Sequence, residues 1–359
     1  MEKIGILMIF LFMVTTNVFA EPVQQRSLEG FLNNDLQLLT LSAQEKVVIN
    51  RMDNSISVFN LASGEEAWTK SYSKLYDVDV LSSPEKIIVI AKDKDKDNKL
   101  QKIVLSKEGT TLSTTVFNSA PITKSITSNE EMINWYAPEG SNKERLSVYS
   151  NNVLAAYQAP WNNPVFKMNL GGMSSSKYED ITLKDIKLNG PYAVVKYTGY
   201  SLMQSQDFFR VINTSNKKKT YTIASDWNTR SDSSFAGNEL VINSSFNVGN
   251  PLGVNVGQPY SLSGMYNLST GKKTAGISET FTEREMGWKS ERIGNHILIY
   301  LPEKGRIDIY NLSGRKVSEA SITLPNSFRV LDYSKGELSL LIREETGATI
   351  QVIHTTAIN

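Results

Sequence analysis

The sequence contains no cysteine and only two histidines, His296 and His354, among its 359 residues. Without cysteine the chain has no disulfide, no thiolate metal ligand, no cysteine nucleophile and no lipid-bearing cysteine of the bacterial lipoprotein kind. Two histidines are also too few for a multi-histidine metal site.

An excess of positive charge is also missing. Lysine and arginine total 38 and aspartate and glutamate 37, so the formal net charge is +1. Proteins that bind nucleic acids by their phosphates normally carry a basic excess, so we expect no nucleic-acid partner. The hydrophobic share of 40% and charged share of 21% are ordinary for a folded globular protein.

Long apolar runs are absent except at the N-terminus. Lys3 precedes an apolar stretch at residues 4–14, and Val18 and Ala20 are acceptable small residues at a cleavage site. This pattern predicts a signal peptide over residues 1–20 and a single domain over residues 21–359. The alternatives are an uncleaved anchor and a buried N-terminal helix. We expect a secreted or periplasmic protein with no transmembrane span after signal removal.

Helical periodicity is absent as well, and short strand-like segments take its place. They are rich in β-branched and aromatic residues and are bounded by Gly, Pro, Asn, Asp or Ser, which indicates an all-β fold. The clearest segments are residues 36–41, 47–50, 56–61, 87–91, 193–197, 297–301 and 307–312.

One motif recurs within this pattern. Residues 59–65 (FNLASGE), 266–272 (YNLSTGK) and 310–316 (YNLSGRK) share an aromatic residue, Asn, Leu and then a Gly. The Asn begins a turn and the Gly supplies the positive φ that a tight reversal requires. Weaker copies begin at residues 105, 149, 212 and 353.

The spacing of these copies suggests a repeat architecture. The gaps are 46, 44, 63, 54, 44 and 43 residues, and four of them lie near the period of roughly 40–45 residues of WD40-type propeller blades. We therefore predict a β-propeller of seven four-stranded blades, with six or eight blades as alternatives. Extra length in the two long gaps is expected in loops.

Residues 47–68 resemble a PQQ-like β-propeller repeat, alongside the WD40-like spacing. The stretch reads as a strand, an Asp-centred hairpin, a second strand, a Ser-Gly turn and then Trp68 on the last strand. The resemblance is partial over residues 262–273 and 297–316. It implies a radial array of blades, and it brings no recognisable quinone-binding or calcium ligands.

Hairpins precede several copies of the motif and are interpreted as the two middle strands of a blade. Examples pair residues 47–50 with 56–61, 297–301 with 307–312, and 338–342 with 349–353. The last unit ends before a fourth strand. Residues 26–31 are predicted to supply that strand and so to close the ring and remove a free sheet edge.

The enlarged loops provide the candidate binding residues. Tyr200, Met203, Asn250 and Tyr260 lie in segments rich in Gly and aromatic residues that would shape a binding face. The alternative is neutral surface variation. The five tryptophans (Trp68, Trp135, Trp161, Trp227 and Trp288) either stack on sugars or, as is more usual in propellers, pack between blades.

An Asp-x-Asp-x-Asp run offers one candidate metal site. Asp93, Asp95 and Asp97 alternate with lysines, and Asn98 stands where a calcium loop usually has Gly. The interleaved positive charge favours a solvated hairpin tip over a calcium site. No cofactor is predicted.

No catalytic constellation stands out in the sequence. The leading hypothesis is an exported, non-enzymatic binding or scaffolding propeller that presents loops to a protein or glycan partner in the cell envelope or outside the cell. The alternative is a secreted enzyme acting on carbohydrate, a glycosidase or lyase, with a quinoprotein-like dehydrogenase less favoured. Fold alone does not decide between them.

Overall fold

The computed structural model describes residues 36–358, except for 43, 62, 83, 93–98, 118–131, 137–143, 171–177, 179, 202–203, 215–219, 247–258, 281–287, 323–327 and 345–346. The predicted signal peptide and the predicted closing strand at residues 26–31 lie outside these described residues. No helix within the described ranges has both the length and the apolar character needed to cross a bilayer.

The chain is all-β, and its first four sheets are antiparallel meanders of four consecutive strands. Their strands are β1 (Leu36–Thr40), β2 (Glu45–Asn50), β3 (Ser55–Asn60), β4 (Glu65–Ser71); β5 (Lys74–Ser82), β6 (Glu85–Lys92), β7 (Leu100–Ser106), β8 (Thr111–Val116); β9 (Met132–Tyr136), β10 (Arg145–Ser150), β11 (Val153–Gln158), β12 (Pro164–Asn169); and β13 (Asp180–Asn189), β14 (Tyr192–Ser201), β15 (Gln204–Asn213), β16 (Thr220–Ala224).

The remaining strands form a nine-stranded and a three-stranded sheet. Two meanders make up most of the larger sheet, and among the described residues one strand pair, Ser245 and Lys289, joins them. The strands are β17 (Thr229–Ala236), β18 (Glu239–Phe246), β19 (Pro259–Asn267), β20 (Lys273–Thr280); β21 (Lys289–Ile293), β22 (His296–Leu301), β23 (Arg306–Asn311), β24 (Lys316–Ser321); β25 (Phe328–Ser334), β26 (Glu337–Glu344), β27 (Gly347–His354); and the terminal β28 (Thr356–Ala357), which pairs with β24.

These small sheets have a β-propeller arrangement, because each meander packs face to face against the next. The middle strands are continuous apolar runs since both of their faces are covered. In β6, Ile87 and Val89 face the preceding meander, whereas Ile88 and Ile90 face the following one. The predicted middle hairpins β2–β3, β22–β23 and β26–β27 are confirmed.

The last sheet packs against the first, so the packing runs round a closed ring. Leu331 and Leu341 from the last sheet share a core cluster with Leu36 and Phe59 from the first. The first strands of successive meanders contact one another, as β5 does with β9 and β9 with β13. Fourth strands such as β4 are mostly exposed. First strands therefore lie towards the axis and fourth strands on the outside.

The recurrent motif forms the turn from the third strand of a meander to the fourth. Its glycines adopt the predicted left-handed conformation, with φ of 71° at Gly64 and Gly271. The Asn starts the turn with its side chain: Asn267 Oδ1 accepts hydrogen bonds from the backbone N–H groups of Ser269 at 3.0 Å and Thr270 at 3.1 Å. The predicted roles of the Asn and the Gly are confirmed, whereas the Leu, expected on the strand, lies in the turn.

The first residue of the motif is the penultimate residue of the third strand. This holds for Phe59, Leu105, Ile212, Tyr266, Tyr310 and Ile353. At four of these residues the pairing with the fourth strand shifts by a β-bulge, which turns the strand before the reversal.

The copy predicted at Tyr149 is wrong by one strand. Tyr149 precedes the β10–β11 hairpin, where Asn151 and Asn152 have φ of 51° and 62° and imitate the motif. The equivalent residue is Tyr157, penultimate in β11 and placed at a bulge. Trp161, with φ of 70°, stands in the Gly position, which hid this copy. The copies at residues 105, 157 and 212 are then 52 and 55 residues apart, and the gap of 63 disappears.

Candidate functional site

The strand connections divide between two faces of the ring. One face carries the connections between second and third strands and the linkers between meanders. Fourth strands also end on this face: Leu170, which follows β12, donates its N–H to the carbonyl oxygen of Asn152 in the β10–β11 turn at 2.8 Å. The opposite face carries the short turns after first and third strands. Leu61, which follows β3, donates its N–H to the carbonyl oxygen of Gln44 in the β1–β2 turn at 2.7 Å. We call these the linker face and the turn face.

The two predicted binding residues that the structure describes lie at strand ends that border the linker face. Tyr200 lies near the end of β14 and Tyr260 near the start of β19. Met203 falls between β14 and β15 and Asn250 between β18 and β19, and both lie outside the described residues. So do Asp93, Asp95 and Asp97, between β6 and β7, where a solvated hairpin tip stays the prediction and a calcium site the alternative.

The two described candidates have different surroundings. Tyr200 is 41% exposed, and the Lys184 ammonium lies 5.5 Å from the centre of its ring. Tyr260 is only 8% exposed and belongs to the core cluster that includes Leu262 and Trp288. Tyr260 therefore offers little surface to a ligand, while Tyr200 offers much more.

Four of the five tryptophans pack between meanders. Trp135 and Trp288 are buried in core clusters. Trp161 meets the ring of Phe117 edge-on at 5.3 Å, and Trp68 packs against the next meander and donates from Nε1 to Lys107 O at 2.7 Å. The exception is a fifth tryptophan on the linker face.

Trp227, 38% exposed, lies in the linker between β16 and β17. Its ring stacks on Tyr178, with centroids 5.8 Å apart and an interplanar angle of 24°. Tyr178 also meets Phe208 edge-on at 5.3 Å. We call Tyr178, Phe208 and Trp227 the aromatic platform.

Hydrogen bonds fix the linker that carries Trp227. Asn228 is left-handed, with φ of 58°; its N–H donates to Ser205 O at 2.8 Å, and its Oδ1 accepts from Ser205 N–H at 3.2 Å. Gln206 accepts from the Tyr178 hydroxyl and donates to Ser225 O. Since Ser205 pairs with Tyr200 across the β14–β15 hairpin, Tyr200 adjoins this framework.

The axis is the second place where function could reside, because first strands carry several carboxylates. Asp77 Oδ2 accepts from Trp135 N–H at 2.7 Å, which joins β5 to β9 of the next meander. Asp332 Oδ1 lies 3.1 Å from Lys46 Nζ, and Asp232 Oδ1 lies 3.2 Å from Lys187 Nζ. These carboxylates therefore hold neighbouring meanders together.

Asp77 has the most perturbed ionisation of these groups. Burial raises its pKa from 3.8 to about 7, although the N–H of Trp135 and the positive charge of Arg51 act in the opposite direction. Burial also raises the pKa of Asp79, two residues further along β5. Within the described ranges, no three His, Asp or Glu side chains are grouped so that they could hold a metal ion.

Reasoning from sequence named Trp227 among five tryptophans that could stack on sugars without singling it out, and it missed Tyr178, Phe208 and Asp77. Tyr178 and Phe208 carry no motif, and the exposure of Trp227 depends on tertiary packing. Asp77 had a usable signal: it interrupts the apolar strand that runs from Leu75 to Val80, where an acidic residue is unexpected unless it has a partner.

Comparisons with known proteins leave the family open. No family model matches the chain, and no curated protein matches it. Among solved structures, Kuenenia stuttgartiensis hydrazine synthase matches with 11% identity over 88% of this chain and 94% of that chain, at a TM-score of 0.47. Kluyveromyces lactis Hsv2 matches with 9% identity over 90% of this chain and 100% of that chain, at a TM-score of 0.43.

A third solved structure, the AfRom2 CNH domain, matches with 12% identity over 91% of this chain and 94% of that chain, at a TM-score of 0.40. All three neighbours are β-propeller proteins. At such low identities and TM-scores the likenesses carry no argument about this chain. The propeller arrangement described above rests on its own sheets and core clusters.

Proposed function

We propose that the chain is an exported, non-enzymatic binding or scaffolding propeller whose linker face contacts a protein or glycan partner in the periplasm or outside the cell. The observation that carries the proposal is the aromatic platform, because an exposed Trp that stacks on a Tyr and is held by a hydrogen-bonded framework is typical of a recognition surface. Tyr200 extends this surface by a second exposed ring.

The engagement of the axial carboxylates supports binding over catalysis. A carbohydrate-cleaving enzyme needs two carboxyl groups facing a substrate at a suitable separation. Asp77 instead accepts backbone N–H groups, and Asp332 and Asp232 face lysines. Such contacts suit carboxylates that join meanders to one another.

The proposal includes a ring of seven four-stranded blades. The nine-stranded sheet counts as two blades, since among the described residues one strand pair joins its two meanders. The last sheet has three strands among the described residues, and the chain then leaves it to pair with β24. Residues 26–31 supply its fourth strand. In support, Arg329 of β25 donates to the backbone oxygen of Leu36, which brings the start of β1 to the last sheet.

The function is tested by capture of partners from the native envelope or medium on immobilised mature protein. The expected result is a specific protein or glycan that a Tyr200→Ala/Trp227→Ala variant no longer retains. Capture of no partner, together with turnover of a glycan substrate by the soluble protein, would replace the binding module with the carbohydrate enzyme.

A further inference from the structure

The aromatic platform has the form of a sugar-binding site, and we infer that it binds a carbohydrate by stacking one pyranose ring on Trp227. The inference rests on the proposed function and names the ligand class of the same face. It makes the glycan, and not a protein, the partner of the platform.

The first reason is the geometry of the rings. An aromatic ring has a negative face and a positive edge, and the axial C–H bonds on one side of a pyranose form a flat, weakly positive surface that matches that face. Trp227 presents more than a third of its surface to solvent while Tyr178 supports it from the other side. Phe208 braces Tyr178 in turn through an edge-on contact.

The second reason is that the site is rigid before a ligand arrives. Two hydrogen bonds between Asn228 and Ser205 fix the linker that carries Trp227 to the start of β15. The Thr229 hydroxyl donates to Asp226 O at 2.8 Å, and Asp226 Oδ2 accepts from Ser261 N–H at 2.6 Å in the neighbouring meander. A preorganised ring loses little conformational entropy when a flexible ligand binds.

The third reason is the chemistry around the rings. Polar side chains lie close to the rings: Gln206 accepts a hydrogen bond from Tyr178, and Asp226 and Asn228 flank Trp227 in the chain. Beside a stacking surface, the donors and acceptors that such amide and carboxylate groups have left over from their framework contacts can bond sugar hydroxyls. Three large exposed apolar side chains are described on the linker face: Met52, Tyr200 and Trp227. A stable protein interface buries about 800 Å² on each partner, whereas two adjoining rings are enough for one or two sugar units.

The remaining exposed apolar side chains do not enlarge this patch. Leu112 and Val165 lie on the fourth strands β8 and β12, Val352 lies on β27, and Ile358 lies near the end of the chain. Leu112 therefore serves as a control position, because its removal exposes no core and leaves the platform intact.

The test is binding of the mature protein to a printed array of neutral and acidic glycans, followed by calorimetric titration of the strongest ligand. Three variants are compared with the wild type: Trp227→Leu, Trp227→Phe and Leu112→Ala. Leucine keeps the apolar character but loses the aromatic face. We expect Trp227→Leu to weaken binding about tenfold or more, while Trp227→Phe stays within about threefold and Leu112→Ala is unchanged.

Two results would overturn the inference. One is that no glycan on the array binds the wild-type protein. The other is that Trp227→Leu binds as well as Trp227→Phe while both unfold at the wild-type temperature. In either case, capture of a specific protein partner through the linker face would leave the proposed binding function standing. If the protein binds neither a glycan nor a protein partner, the proposed function is wrong as well.

Discussion

Single residues at the turn face explain why the motif recurs. Its Gly adopts a left-handed conformation and also lets an aromatic ring of the preceding meander approach the backbone. A Cβ added to Gly271 would lie 2.9 Å from the ring of Tyr221, whose hydroxyl donates to Asn267 O at 3.2 Å and Leu268 O at 3.0 Å. Gly109 meets Trp68 in the same way. The turn is therefore part of the contact between meanders.

Gly64 and Gly271 make a matched pair for this double role. Both have φ of 71°, but a Cβ on Gly64 would meet nothing within 4 Å. We expect Gly64→Ala to cost about 1 kcal/mol of unfolding free energy from backbone strain alone. Gly271→Ala should cost about 1–3 kcal/mol more, because the Tyr221 ring has to move. Urea denaturation measures both, and equal losses would contradict the contact.

Asp77 should make stability depend on pH. Its pKa in the folded protein, about 7, lies above the ordinary value of 3.8. Its contribution to stability is therefore complete below about pH 4 and is lost as the pH rises through 7, with a slope of up to about 1.4 kcal/mol per pH unit. Thermal melts from pH 4 to 8 should show a smaller decline in Asp77→Asn than in wild type. Parallel curves would show that Asp77 ionises normally.

The roles of single residues in turns could be predicted from the sequence, whereas the solvent exposure of single side chains could not. The Asn and Gly of the motif act locally, so their roles could be derived from residue type. The sequence could not show that Trp227 is exposed and Tyr260 buried, because packing between meanders decides the exposure of each ring. The binding roles of Tyr200, Met203, Asn250 and Tyr260 stay predictions.

The strands themselves were predictable because burial on both faces gives middle strands a continuous apolar run. β2 and β3 show this pattern and were located from sequence. The first strands were harder to locate. β17, for example, lies towards the axis and contains three Ser, an Arg and an Asp among its eight residues. The copy at Tyr157 escaped because Trp161 takes the left-handed position that the pattern reserves for Gly or Asn.

The proposed closing strand at residues 26–31 can be tested by two truncations of the mature chain. Removing residues 21–25 should leave the unfolding free energy unchanged. Removing residues 21–31 should lower it by about 2–4 kcal/mol, through loss of several backbone hydrogen bonds, and should promote association through the uncovered edge of the last sheet. Denaturation and size-exclusion chromatography measure the two effects. Equal stability of both truncations would rule out the strand.

At the scale of the whole molecule, the ring depends on contacts between its first and last sheets. Lys46, only 2% exposed, reaches from β2 to Asp332 of β25 at 3.1 Å and also donates to Thr40 Oγ1 at 2.9 Å. Lys46 and Asp332 lie 286 positions apart in the chain. No local sequence pattern could have paired them, which is why closure was inferred from the incomplete last unit and from residues 26–31 instead.

Breaking this ion pair should weaken the ring as a whole. Lys46→Met leaves Asp332 partly buried without its cation and should cost about 3 kcal/mol. Lys46→Met combined with Asp332→Leu should recover much of that loss, because no unpaired charge remains. A double-mutant cycle in urea measures the coupling, and additive single losses would mean that the two sheets do not meet in solution.

The central claim, that the linker face is the recognition surface, is tested most directly by photo-crosslinking in the native compartment. A benzophenone amino acid is placed at Tyr200 on the linker face or at Thr270, an exposed residue of the β19–β20 turn on the opposite face. We expect a specific adduct from position 200 and none from position 270. Adducts from position 270 alone, or none from either position, would contradict the claim.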